Sequence, residues 1–308
     1  MLALCLHPAL DVTVYTENGR EVSRRSDLGG KAINLARMLH ALGARVTLVA
    51  PADPDGLTAS LLASCGFACE LVKSDLPLRT NYKYVDADGD CKELHEPPKT
   101  ISPQYFTQLI HRVMHICQTR QISVLALCGS FPQGVEKGVY KSLIEWAKAQ
   151  NITCVTDASK EPLSLAVQAK PSLIKPNLQE FSFLTEQDID LLKTQNQVEN
   201  AVKRAYLDTQ VPILCSMDQN GSVYAGPEGT FWVQSRIVTR VAGFAGAGDT
   251  MLASFIFAHM LCMHSIEKCL AFASAAATAK VRLPANTLPN ADQIFAEWTH
   301  TKIKKGGT

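Results

Sequence analysis

The chain has 308 residues, with 30 Lys+Arg against 29 Asp+Glu and a formal net charge of +1. Apolar residues make up 46% and charged residues 19%, which excludes a disordered chain and argues against a nucleic-acid partner, whose binders carry a basic excess. The longest largely apolar stretch, residues 250–263, falls short of the ~20 residues that span a bilayer, so no membrane partner is expected. The opening MLALCLHPALD lacks a basic region ahead of its apolar residues, so nothing directs export and a cytoplasmic location is expected. The ten cysteines then read as small buried hydrophobes; no CxxC pair suggests zinc.

Taken in order, apolar runs of strand length lie at residues 2–6, 46–50, 123–127, 152–156, 172–174 and 211–215. Stretches of helical period lie between and after them, at residues 31–42, 55–64, 103–118, 139–150, 197–208, 249–264 and 265–281. This alternation predicts an α/β fold with a mainly parallel sheet covered by helices. Two stretches break the rhythm: 12–23 and 80–94 alternate polar and apolar residues around turn signals at 17–19 and 88–90. They predict antiparallel strands outside the main sheet, forming a small lid over a substrate. Residues 221–233 read as a further hairpin, and the lysine-rich tail at 302–305 as a solvated terminus.

The sharpest local feature is GFAGAGDT at residues 243–250, a glycine-rich turn opening an apolar helix. Amides at Gly246, Ala247 and Gly248 at a helix N-terminus make an anion hole. A Walker A loop needs a lysine where this chain has Asp249, and a carboxylate there repels a phosphate tail. Beside an anion hole it suits a general base that takes a proton from a hydroxyl nucleophile; the competing reading is a plain helix cap. Upstream, LGGKAIN (28–34) opens a helix with Lys31 and Asn34 on one face of its first turn, and Asp11 follows the first strand, where parallel sheets collect ligands. In KPNLQE (175–180), Asn177 and Glu180 have the spacing of a capping box. The alternative is that Lys175 meets nucleotide phosphates while Asn177 and Glu180 hold the water shell of Mg²⁺.

The order of these clusters resembles the PfkB/ribokinase family of sugar kinases from end to end, and within it the 1-phosphofructokinase and tagatose-6-phosphate kinase branch. GAGD at 246–249 and GGKAIN at 29–34 carry the resemblance most specifically, with HPALD, RTNYKYVDADG, LCGSFPQGV, DASKEPL and LIKPNLQE in support. The resemblance implies one Rossmann-like, ribokinase-like kinase domain over residues 1–308, with lid strands from about 12–24 and 80–95. It implies ATP-dependent phosphorylation of a ketohexose phosphate, with Asp249 as base over the Gly246, Ala247 and Gly248 anion hole. Asp11, Gly29, Gly30 and Asn34 would bind the sugar, and Lys31, Arg79, Asn81 and Ser130 would lie near its existing phosphate. Lys175, Asn177 and Glu180 would serve ATP and Mg²⁺, the last two through water, and Ser216, Asp218 and Gly221 would belong to the nucleotide pocket with Gly248. His7 replaces the family's usual Asn, and Asp218 a common Gly, where a carboxylate weakens ATP binding unless it turns outward. Lys160 favours fructose 1-phosphate over tagatose 6-phosphate as acceptor. A non-catalytic sugar-phosphate sensor would normally have lost the base or the hole. The exposed edge of the lid suits a homodimer.

Overall fold

The computed structural model describes residues 1–53, 56–86, 91–239, 241, 243, 245–284 and 287–306. The chain starts with β1 (Leu2–Cys5), leaves the main sheet for β2 (Ala9–Glu17) and β3 (Arg20–Gly29), and returns through α1 (Lys31–Ala41) to β4 (Thr47–Ala52). Then follow α2 (Leu57–Ala63), β5 (Ala68–Lys73), β6 (Arg79–Val85), β7 (Cys91–His95), α3 (Pro103–Thr119), β8 (Val124–Cys128) and α4 (Val139–Ala149). After β9 (Thr153–Asp157) come α5 (Lys160–Gln168), β10 (Leu173–Ile174), α6 (Leu178–Thr185), α7 (Gln195–Thr209) and β11 (Ile213–Ser216). The chain closes with β12 (Ser222–Gly226), β13 (Gly229–Gln234), α8 (Ala247–Phe255), α9 (Ile266–Val281), α10 (Ala291–Trp298) and β14 (Lys302–Lys305).

Ten of these strands form one sheet in the order β14-β13-β12-β11-β10-β9-β8-β1-β4-β5. The run from β11 to β5 is parallel, and β12, β13 and β14 add an antiparallel edge. Apolar alternation sends successive side chains to opposite faces. Leu2, Leu4 and Leu6 join the core under α3, α4, α5 and α7, whereas Ala3 and Cys5 join the core under α1, α8 and α9. The result is a three-layer Rossmann-like sandwich, the mainly parallel α/β sheet that the sequence predicts. From β1 the chain extends the sheet one way to β4 and β5, then resumes on the other side at β8. Such a reversal opens a crevice at the carboxyl ends of β1 and β8, where ligands bind in doubly wound folds.

The second sheet, order β3-β2-β6-β7, stands apart as the expected lid. Its outer pairs are antiparallel, but β2 and β6 run parallel, pairing Asp11 with Asn81 and Ala9 with Arg79. Both strands leave the main sheet in the same sense, so only a parallel pairing joins them. The first turn has Asn18 and Gly19 at φ 50° and 73°, the left-handed pair of a type I′ hairpin. The turn expected at 88–90 lies outside the described residues, as do Asp55 and Phe244.

The tail corrects its expectation. Residues 302–305 are an edge strand paired with β13, with Trp232 opposite Lys304. The helix expected over 249–264 starts earlier, at Ala247, and widens to a π-helical segment at Ile256–Leu261. Cys5, Cys65, Cys69, Cys117, Cys128, Cys154, Cys215, Cys262 and Cys269 are free thiols. No helix among the described residues is long and apolar enough to cross a membrane.

Candidate active site

The crevice between β1 and β8 is an open cleft whose walls include His7, Lys31, Arg79, Gly129, Ser130 and Glu180. Each polar group reaches it from a strand end or a helix start, where backbone geometry and not chance exposure aims the side chain.

Asp249 stands in the first turn of α8, close enough to Lys31 of the cleft wall to feel its charge. That helix is capped by Gly246 at φ 80°, a conformation suited to glycine, with no side-chain capping bond. Asp249 is therefore not its cap. The carboxylate is instead held by α1, where Asn34 Nδ2 donates to Asp249 Oδ2 at 2.8 Å. Asp249 is 8% exposed. Burial, helped by the Asp157 charge and opposed by Lys31, Asn34 and Lys175, pushes its pKa up to about 6. A carboxylate poised there accepts a proton more readily than an ordinary aspartate. Ala247 and Gly248 occupy the first helical positions, where amides have no acceptor within the helix and carry the positive end of its dipole.

Behind the cleft lies a charge network that the sequence reading missed at its centre. Asp157, the last residue of β9, is 1% exposed and receives Lys31 Nζ on Oδ1 at 2.6 Å. Lys175 Nζ stands 3.1 Å from its other oxygen. Burial opposes the Asp157 charge, yet Lys175 and Lys31 hold its pKa below the ordinary value. Lys31 also donates to Glu180 Oε1 at 3.2 Å. Burial opposes the ammonium, but Asp157 and Glu180 hold its pKa above the ordinary value. Glu180 completes the capping box of α6: its Oε2 accepts from the Asn177 amide at 3.0 Å, and Asn177 Oδ1 accepts from the Glu180 amide at 2.8 Å. Lys31, assigned from sequence to the acceptor's existing phosphate, thus has its ammonium on the Asp157–Glu180 side while still lining the same cleft as Arg79.

The lid roots supply the other end. Arg79 donates to Ser130 Oγ at 3.1 Å and to Asn81 Oδ1 at 3.4 Å, while its Nε is buried without a partner among the described residues. Asn81 Nδ2 donates to Asp11 Oδ1 at 2.8 Å. Burial raises the Asp11 pKa against the pull of Asn81 and Arg79. A Cβ at Gly29 would collide with the Asp11 carboxylate, so glycine is what lets β3 pass it. Gly30, at φ 123°, turns the chain into α1.

The remaining residues flank the KPN segment. Ser216 bridges to Asn177, and Gly221, at φ 87°, leaves no room for a Cβ against the Val233 carbonyl. Asp218 sits between them on a 3-10 turn, exposed and pointing away from the core. For a divalent ion, Asn177 and Glu180 offer oxygen donors already engaged in capping bonds. No group of three or more metal-binding side chains stands together among the described residues. That donor set fits an ion that keeps its water shell, as Mg²⁺ does, and not one wrapped by protein.

Comparison with known proteins gives the chain's family. Residues 8–292 match the model of the pfkB family carbohydrate kinases. The chain is 26% identical over 248 residues to a 1-phosphofructokinase of Haemophilus influenzae, covering 80% of this chain and 77% of the relative. It is 29% identical over 243 residues to ATP-dependent 6-phosphofructokinase isozyme 2 of Escherichia coli, covering 73% and 72%. The crystal structure of phosphofructokinase-2 from Escherichia coli in complex with substrates and products superposes with a TM-score of 0.86 at 26% identity, over 97% of this chain and 98% of that one. The chain belongs to the pfkB family of carbohydrate kinases.

Proposed function

We propose that the protein transfers the γ-phosphoryl group of ATP to a hydroxyl of a ketohexose phosphate, converting fructose 1-phosphate to fructose 1,6-bisphosphate. The observation that carries the reading is a buried carboxylate with a pKa near 6 at a helix N-terminus, held by Asn34 and within the field of Lys31, together with an arginine–serine pair on the lid root that shares a cleft wall with Lys31. A ketohexose phosphate spans such a cleft with its phosphate on Arg79 and Ser130 and its free primary hydroxyl at Asp249. Asp11, Asn81, Gly29, Gly30 and Asn34 lie between and present hydrogen-bonding groups to the sugar.

In the step proposed, the Asp249 carboxylate takes the proton of the C6 hydroxyl as that oxygen forms its bond to the γ-phosphorus. The bond from the γ-phosphorus to the bridging oxygen breaks, and ADP departs with the electron pair. Amides of Gly246, Ala247 and Gly248 hold the charge on the transferring group. Lys175 sits against Gly248, where a Cβ would stand 3.2 Å from its ammonium, and serves the phosphate chain of ATP. Asn177 and Glu180 would hold Mg²⁺ through water, and the ion would neutralise phosphate charge. Ser216 and Gly221 form part of the nucleotide pocket, and the outward Asp218 leaves it open to the nucleotide.

The test is a coupled ADP-release assay with fructose 1-phosphate, fructose 6-phosphate and tagatose 6-phosphate. The reading expects the highest kcat/KM with fructose 1-phosphate. Preference for tagatose 6-phosphate identifies the alternative, a tagatose-6-phosphate kinase using the same constellation, and preference for fructose 6-phosphate replaces the acceptor in the same way. Tight sugar-phosphate binding without turnover overturns the enzyme reading in favour of a sensor.

A further inference from the structure

The GAGD turn is flanked by two buried lysines, one at each of its glycines. Lys175 passes Gly248 and has Asp157 as its counter-ion. Lys280, from the last turn of α9, passes Gly246: a Cβ there would stand 3.6 Å from the Lys280 Cε. Lys280 is 2% exposed, and among the described residues no carboxylate lies within ion-pair reach. Its one hydrogen bond there runs from Nζ to the Pro284 carbonyl at 3.4 Å. It lines a small pocket with Asn34, Arg37, Gly246 and Thr250. Asn34 is the same side chain that holds Asp249. A buried ammonium without a counter-ion costs stability, so its place beside the proposed anion hole calls for a reason other than packing.

We propose that Lys280 is a positioning residue of the phosphoryl-transfer site: its ammonium, lodged behind Gly246, supplies a fixed positive charge to the glycine turn and keeps Asp249 ionised. This rests on the kinase reading given above. Several charges bear on the two groups. Asp249 faces Lys280 from α8, while Lys83 of β6 and Arg25 of β3 face it from the lid, and Arg37 of α1 lines the same pocket. Burial and then Lys83 push the Lys280 pKa down to about 8, against the pull of Asp249. Asp249 in turn meets Asp157, Lys31, Asn34 and Lys175. Removing the Lys280 charge leaves Asp157 less opposed, so the Asp249 pKa rises.

The experiment measures kcat and KM for ATP and for the sugar phosphate that the wild-type enzyme turns over, from about pH 5 to about pH 9, in wild type, K280M, K280Q and K280R. K280M is expected to lower plateau kcat by ~10-fold or more while both KM values stay within about 2-fold. Its acid limb should move upward by roughly half a pH unit or more. Its melting midpoint should hold or rise, because an uncompensated buried charge is gone. K280R should keep the wild-type limb. K280Q answers the same question if K280M does not fold. An uncharged variant with wild-type plateau and limb overturns the proposal. So does a kcat loss with an unmoved limb that K280R fails to restore, which assigns Lys280 to packing. A wild-type enzyme silent on every sugar phosphate removes the kinase reading itself, whereas a working wild type beside an unchanged K280M removes the role of Lys280 alone.

Discussion

Asp249 ties local chemistry to a measurable pH dependence. Its ordinary pKa is 3.8, and in the folded protein burial lifts it to about 6. The proposed base works only when ionised, so kcat/KM for the sugar phosphate, which reports ionisations of the free protein, should fall as pH drops through about 6, by about one decade per unit. For stability the sign is opposite. The folded carboxyl binds its proton more readily than the unfolded one, so stability falls as pH rises from about 4 to about 6 and stays lower above. Asp249→Asn should therefore melt higher than wild type near pH 8, which differential scanning calorimetry would show. Arg79→Ala should chiefly raise KM for the sugar phosphate, by ~10-fold or more, since it removes a charge-assisted grip made before and during transfer. A loss confined to kcat would place Arg79 elsewhere in the reaction. Asp249 and Arg79 were legible because each sits in a motif with an anion hole or a strand end beside it. Asp157 and Lys280 were not: nothing local marks a lone acid in DASK or a lysine near a helix end, and only the fold buries them.

Among elements, strand ends and helix starts were read within a few residues wherever apolar period and turn chemistry agreed, as in α1, β8 and α9. Elements with conflicting signals escaped. In β5, Glu70 and Lys73 break the apolar run because it is an edge strand with exposed positions. α5 carries Pro162 in its first turn, which helix starts tolerate but which reads as a breaker. β14 is three lysines around Ile303, a charge-guarded edge that sequence alone presents as a tail. Truncation after Thr301 should therefore lower the melting midpoint by a few degrees while leaving KM values unchanged, because it strips the edge of β13 far from the cleft. The lid was visible as alternation, but the parallel pairing of β2 with β6 was not, and that pairing sets Asp11 beside Asn81. Gly29→Ala tests the root of the lid. The added methyl displaces the Asp11 carboxylate, so KM for the sugar should rise ~10-fold or more while KM for ATP holds.

At the scale of the whole molecule, a net charge of +1 coexists with a cleft lined by Lys31 and Arg79. Lys31 and Arg79 line one crevice where the sheet reverses its order between β1 and β8, and Lys175 and Lys280 stand at the two glycines of the turn that carries Asp249. Near-neutrality described the surface and placed no limit on the cleft. The α/β class and the lid were legible from period and turn residues, whereas the reversal was not, since strand order leaves no local mark in sequence. The proposed phosphoryl transfer stands or falls with Asp249 as its base. The measurement is kcat for ADP release with saturating ATP and fructose 1-phosphate, wild type against Asp249→Asn. A fall of at least ~10²-fold with both ligands still bound is the predicted result. Equal kcat in the two proteins would contradict it.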